Sequence, residues 1–561
     1  MTLHFNLLDE RWIPCVRVSD GTDEEYSLTD VLIRAHELRE IRDSSPLVTA
    51  ALHRLLLAVI HRTLQRGGNQ AGPASWEEWR DLWEQKHFDA PQLVRYFDQW
   101  QHRFALFSDD HPFYQAASLD FSYERAITNL THELNTDGTT LFDHTTRATS
   151  PAFSPARTAR YLVAHQAFAI GGLLSLEKGQ DPKLFKSADS APLTKGAVML
   201  VQGKNLFETL MLNLHRYNCK DAEPFEMDGD DAPAWERGTE TKAEDRHLKG
   251  YLDLLTWQSR RIRLHPTEEP DGTVVVRSVV VMKGNQFEDD FTRFGRETML
   301  AFRVNKKAKG TEDPTPVVSF QPEKALWRDS LTLLQSAEDA RKRPKMLDWL
   351  NDLGAHHALD RSQTVPLVAY GLGSDRAKIF FWRTEQLPLP LAYLSDRDLL
   401  ARVREALTLA EQTGRVLSDA IREFACFIFV PDPPEDARKR ADMYRQRSKD
   451  IAALRAALAP GRRYWAALDT EFSRFLIAQA KEAEGRSMGE MGELPKRKAF
   501  TDWGDAVRDA ARDDFNAIVG GHDDSARAMK ATVQARGYFE GLSAYCRRRA
   551  GLDRKEEANG E

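Results

Sequence analysis

Cysteine is scarce in this chain. Its 561 residues hold four, Cys15, Cys219, Cys426 and Cys546. None are close in sequence and no C-x-x-C occurs, which speaks against a disulfide framework and against a zinc-finger site. Long apolar runs are also lacking. No stretch reaches the roughly 18 residues needed to span a bilayer. The opening MTLHFNLLDERWIP has no charged segment followed by an apolar core, so no signal peptide is read. A cytoplasmic location without a membrane partner is expected. P-loop, G-x-S-x-G and kinase motifs are missing. Internal repeats and long low-complexity segments are missing too. Net positive charge is absent as well: the formal charge is −7. That is unlike a free-standing nucleic-acid binder. A subunit docked in a larger complex, however, needs only local basic patches.

What is present is an ordinary globular composition, 42% hydrophobic and 29% charged, in a chain too long for one compact core. Residues 5–18 read as extended. Ser27-Leu28-Thr29-Asp30 resembles a capping box and predicts a helix to about Arg39. Ser45-Pro46 predicts a second start, and Leu47, Ala51, Leu55 and Ala58 give that helix one core face. Gly171-Gly172 ends a helix from about Ala156; paired glycines cap a helix or let a backbone come close to a ligand. Ile262 and Leu264 alternate with Arg261 and Arg263, a half-buried strand with a basic face. A Val-rich strand, Val274 to Met282, runs into Lys283-Gly284-Asn285. There the lysine is a solvated surface charge or an outward-reaching finger. Gly371-Leu372-Gly373 lacks a third glycine and a following helix, so a β-hairpin with its tip at Ser374-Asp375-Arg376-Ala377 is expected rather than a dinucleotide fold.

Composition shifts near Pro388–Pro390. The expected fold is α+β: a large mixed domain over 1–390, then an all-α four-helix bundle over 391–561. One predicted bundle helix, Asp436–Leu458, is strongly basic. From Asp436 to Arg463 there are nine Lys or Arg against three Asp. Arg438, Lys439, Arg440, Arg445, Arg447 and Lys449 are candidate phosphate contacts, a solvated helix face being the alternative.

The stretch from His111 to His144 sets the polar run Asn135-Thr136-Asp137-Gly138-Thr139-Thr140 between the aromatic clusters His111-Pro112-Phe113-Tyr114 and Leu141-Phe142-Asp143-His144. The local reading is an ordinary surface loop or one that projects from a packed body to touch a partner. The same region raises a metal-dependent hydrolase as the alternative function, through His102, His111, His132 and His144 with Asp109, Asp110 and Asp143. Its H-E-x-x-H fails because Thr136 stands where the second histidine belongs.

Several segments together resemble one family, the large subunit of the type I-E CRISPR surveillance complex, Cascade. They are LLDERWIPC, SPLVTAALHRLLLAVIHR, HPFYQ, the loop ending TLFDH, PAW at Pro233–Trp235, TWQSRR at Thr256–Arg261 and YGLGSDRAK, in the family's order over about residues 5–380. The resemblance implies a non-catalytic subunit without cofactor. Base pairing to a guide RNA reads the target, while this subunit reads a short adjacent motif in duplex DNA, largely from the minor groove, and starts strand separation. It implies the other Cascade subunits, the guide RNA, double-stranded target DNA and an effector nuclease-helicase as partners. By position, Gly171 and Gly172 would be the family's glycine loop and Lys283 its lysine finger. Ser374, Asp375, Arg376 and Ala377 would be its wedge, with Arg376 where the family has glutamine. Asn135, Thr136, Asp137 and Gly138 would be the loop that meets guide RNA and DNA. The cysteines that bind zinc in some members are lacking here, so no metal is expected.

Overall fold

The computed structural model describes residues 4–65, 71–133, 151–227, 231–238, 242–288, 295–303, 315–335, 341–375, 378–484, 498–521 and 525–552. Two compact units emerge. The first comprises Met1–Pro322, Thr332–Arg361 and Val365–Gln386, and the second Glu323–Leu331, Ser362–Thr364 and Leu387–Glu561. Small sheets and helices are mixed in the first; the second is built on long helices.

In the first unit, strand β1 (Ile13–Arg17) lies between β2 (Asp23–Tyr26) and β3 (Leu38–Ile41), antiparallel to both. The Ser27 hydroxyl accepts from Asp30 N, as a capping box requires, but the helix it starts ends at Ile33. The sequence expectation of a helix to Arg39 is corrected here. Leu38 and Ile41 are buried and pair with β1, so sheet formation overrides helical continuation. Helix α1 (Pro46–Thr63) begins at its proline and is buried on nearly every side. Helix α2 (Pro155–Phe168), capped by Ser154, packs against it and delivers the chain to the glycine pair.

Beyond α2 a small lobe forms. Strand β4 (Gly172–Leu173) pairs with β5 (Ser187–Ala188), and the short helix α3 (Pro182–Phe185) lies between them. The chain then enters β6 (Val198–Val201), which is wholly buried. A two-residue strand, β7 (Asp245–Arg246), comes before the hairpin of β8 (Arg260–Glu268) and β9 (Val274–Lys283), whose register sets Lys283 opposite Arg260. Strand β10 (Gln286–Phe287) pairs parallel with β7. The expected second hairpin is present as β11 (Thr364–Asp375) and β12 (Lys378–Pro390), with sheet order β12-β11-β6.

The second unit packs α4 (Arg397–Phe429) against three other long helices. These are α7 (Arg462–Glu484), α8 (Lys498–Gly520) and α9 (Ala526–Arg549). Trp327, Phe472, Phe475 and Trp503 form an aromatic cluster within it. The basic segment is not one long bundle helix as expected from sequence. It divides at Arg447 into α5 (Ala437–Gln446) and α6 (Ser448–Leu458), and α6 packs on α4 through Ile451. Helix α5 has no fully buried residue and meets the cluster of Ala425, Cys426 and Ile451 through the half-buried Tyr444, a weak apolar hold for keeping the two in line. Among the described residues no helix is long and apolar enough to cross a membrane.

Candidate nucleic-acid interface

Arg260 organises the site, although the sequence reading sets the basic strand face at Arg261 and Arg263. It is 2% exposed, and its guanidinium donates to Ser259 O at 2.8 Å, Ile170 O at 2.9 Å and Asp189 O at 2.8 Å. Those last two carbonyls flank the lobe on its two sides, so one buried cation closes its base. Burial pulls the guanidinium down to about 10, which leaves it charged at neutral pH. Gln166 on α2 fixes the same residue from the other side. Its amide oxygen accepts from Arg260 N at 3.0 Å and its amide nitrogen donates to Arg260 O at 2.9 Å.

The glycine pair sits on this base. A Cβ on Gly171 would lie 2.9 Å from Ser190 N and 3.1 Å from Ala188 O, so its own chain demands the glycine. Gly172 pairs with Ala188, and Leu173 beyond it is 75% exposed. Arg261 ties the lobe down again through Glu177 at 2.7 Å, and the Tyr123 hydroxyl accepts from Lys178 N at 2.8 Å. Arg261 is buried and Arg263 donates to Leu119 O at 2.6 Å, so the expected basic face of β8 is covered by its own chain.

Lys283 ends β9 directly across from Arg260. Gly284 permits that closeness, since a Cβ there would meet Arg260 N at 2.5 Å. The Lys283 ammonium donates to Leu184 O in α3 at 2.9 Å and pairs with Asp245 at 3.2 Å. Glycine pair and lysine, distant in sequence, therefore meet on one lobe. In this state the lysine is engaged by the protein rather than extended.

The hairpin's glycines also answer to packing. A Cβ on Gly373 would meet the Phe381 ring at 2.5 Å, and one on Gly371 would meet Gly196 O at 3.0 Å. Ser374 is exposed. Arg376 and Ala377 lie outside the described residues, as do Asn135, Thr136, Asp137 and Gly138; of Asp375 only the backbone is described. Phe380 and Trp382, two residues apart on β12, are 64% and 39% exposed. Arg438, Lys439, Arg440, Arg445, Arg447 and Lys449 are all exposed. Arg445 pairs with Asp442 at 3.1 Å and Arg447 with Asp450 at 3.1 Å. Such exposed pairs yield easily to a phosphate.

The hydrolase alternative finds no constellation. His132 spends its Nε2–H on Phe168 O at 2.9 Å and His165 its Nδ1–H on Leu130 O at 3.2 Å. Burial pushes the imidazoles of both below the usual range, that of His165 to about 3. His144 and Asp143 lie outside the described residues. Among the described residues no three His, Cys, Asp or Glu are grouped to hold a metal.

Comparison with known proteins places this architecture. The family model for CRISPR-associated protein Cse1 matches residues 6–513. CRISPR-associated protein CasA/Cse1 of Thermus thermophilus is 32% identical over 546 residues, covering 95% of this chain and 96% of the relative. The solved structure of Thermus thermophilus CasA (Cse1) superposes with a TM-score of 0.75 at 29% identity, over 96% of this chain and 99% of that one. Cse1 from Acidimicrobium ferrooxidans gives 0.77 at 26% identity, over 98% and 99%. A chain of a CRISPR RNA-guided surveillance complex shares the fold, with a TM-score of 0.70 at 19% identity over 96% and 99%. The chain therefore belongs to the Cse1 family, the large, non-catalytic subunit of the type I-E Cascade surveillance complex.

Proposed function

We propose that this chain reads the motif beside the target from the minor groove with the Gly171-Gly172 turn and Lys283, and parts the strands with the hairpin tip Ser374-Asp375-Arg376-Ala377. The observation that carries the reading is the bond from the Lys283 ammonium to Leu184 O. It puts the donor on the lobe that the glycine pair opens, so both can meet one groove together. The minor groove offers purine N3 and thymine O2 acceptors to such a donor, a degenerate pattern that suits tolerance of related motifs. Asn135, Thr136, Asp137 and Gly138 meet the guide RNA and the motif. Arg438, Lys439, Arg440, Arg445, Arg447 and Lys449 steer the duplex or its displaced strand by charge. The partners are the other Cascade subunits, the guide RNA, the target duplex and the effector nuclease-helicase. The place of action is the cytoplasm.

The test assembles this chain with its partner subunits and guide RNA. Duplexes with permissive and scrambled motifs are compared at fixed salt for wild type and Lys283→Ala. Losing one charge-assisted hydrogen bond, worth about 1.5 kcal/mol, narrows the motif preference about tenfold. An unchanged preference would remove Lys283 from the reading.

A further inference from the structure

We propose that Asp245 is a specificity-determining residue, a built-in competitor that the duplex must displace before Lys283 can read the motif. The inference rests on the reading of Lys283 given above. The Asp245 carboxylate lies 3.2 Å from the Lys283 ammonium and its side chain is 61% exposed, within reach of an arriving duplex. Its position is nonetheless built. Asp245 belongs to β7, whose partner β10 begins three residues after Lys283. The neighbouring Arg246 is fastened by both oxygens of the buried Asp253, at 2.6 and 2.9 Å. Its guanidinium lies 4.3 Å from the centroid of the Trp257 ring, which stacks on Phe287 of β10 at 4.2 Å. Sequence distance therefore does not make the pairing loose: the carboxylate is delivered to the lysine by a packed two-strand element.

The chemistry of the pair sets its effect. A duplex carries one negative charge per roughly 1.7 Å of axis. A reading lysine with no counter-charge would be drawn to any phosphate or groove acceptor. With Asp245 beside it, binding must replace an ion pair and bring DNA charge near a carboxylate. Only a motif that offers acceptors at the right positions compensates fully. Asp245 thus weakens every duplex contact of Lys283 and weakens the wrong ones more, which is how a difference in affinity becomes discrimination.

The experiment measures target binding by the assembled complex for wild type, Asp245→Asn, Lys283→Ala and the double variant. Each is tested on permissive and scrambled-motif duplexes at fixed salt. Asparagine keeps the shape at an exposed position, and an unchanged melting temperature of the complex checks the fold. The expected result is that Asp245→Asn tightens binding of the scrambled-motif duplex about two- to five-fold, the range an exposed ion pair supplies. The permissive duplex gains less, and in the Lys283→Ala background the substitution changes nothing. If Lys283→Ala removes the preference while Asp245→Asn matches wild type, weakens binding, or tightens it equally without the lysine, the competitor role is overturned and the reading by Lys283 stands. If Lys283→Ala leaves the preference intact, the reading fails and this inference with it.

Discussion

On the proposed reading, Lys283 and Gly171 each serve the fold as well as the duplex. Gly171 is required by backbone packing, because a Cβ would press on Ser190 N at 2.9 Å. Gly171→Ala should therefore cost about 1–3 kcal/mol of stability in denaturant unfolding, before any DNA is added. Arg260 is the residue to which sequence reasoning assigns no role of its own. Alternation puts the basic face at Arg261 and Arg263 and leaves Arg260 on the side of Ile262 and Leu264, but it cannot reveal that a lobe some 70–90 residues earlier in the chain takes up the Arg260 guanidinium. The signal was the doubled arginine of Thr256–Arg261, at odds with simple alternation. A lysine cannot reproduce the forked donation to three carbonyls. Arg260→Lys is expected to leave the chain in the complex while loosening the lobe, so that motif preference narrows and binding to a scrambled duplex does not change. Equal loss on both duplexes would mark a merely structural role.

At the scale of elements, turn chemistry and capping residues were good guides where the neighbours agreed with them. The β11–β12 hairpin was legible from Gly371-Leu372-Gly373 without a following helix. Helix α1 was legible from Ser45-Pro46. The helix after Ser27 was read too long because pairing of Leu38 and Ile41 with β1 is a tertiary effect. The break at Arg447 was missed because charge runs disguise the lack of an apolar stripe in α5. If α5 and the start of α6 approach phosphates, replacing Arg438, Lys439, Arg440 and Lys449 with glutamine should lower the salt dependence of target binding. The logarithmic slope should fall by about 0.9 for each phosphate no longer neutralised, with motif preference intact. An unchanged slope would leave the helix a solvated face.

For the whole molecule, acidic net charge and the proposed DNA recognition are compatible, because local cations such as Lys283 and the exposed arginines and lysines of α5 suffice to meet phosphates. The first unit also carries buried neutral histidines. Burial holds His165 at about 3 and His215 at about 4. Their stabilising neutral state is fully present above about pH 6.5, the unfolded value, and its advantage is lost as pH falls from there toward the folded values. Acidification from pH 7 to 5 should destabilise this unit by up to about 2 kcal/mol per such histidine, and His165→Gln should flatten the slope of melting temperature against pH. What remained illegible in the sequence was long-range: which carbonyls Arg260 closes, and which carboxylate faces Lys283.

On the proposed function, the adjacent motif is met by minor-groove reading. That reading is tested most directly with the wild-type complex on permissive duplexes carrying a single-atom change. Replacing a motif purine by its 3-deaza analogue removes a minor-groove acceptor, whereas the 7-deaza analogue removes a major-groove one. The account predicts weaker binding with the 3-deaza duplex and unchanged binding with the 7-deaza duplex. The reverse pattern would contradict it.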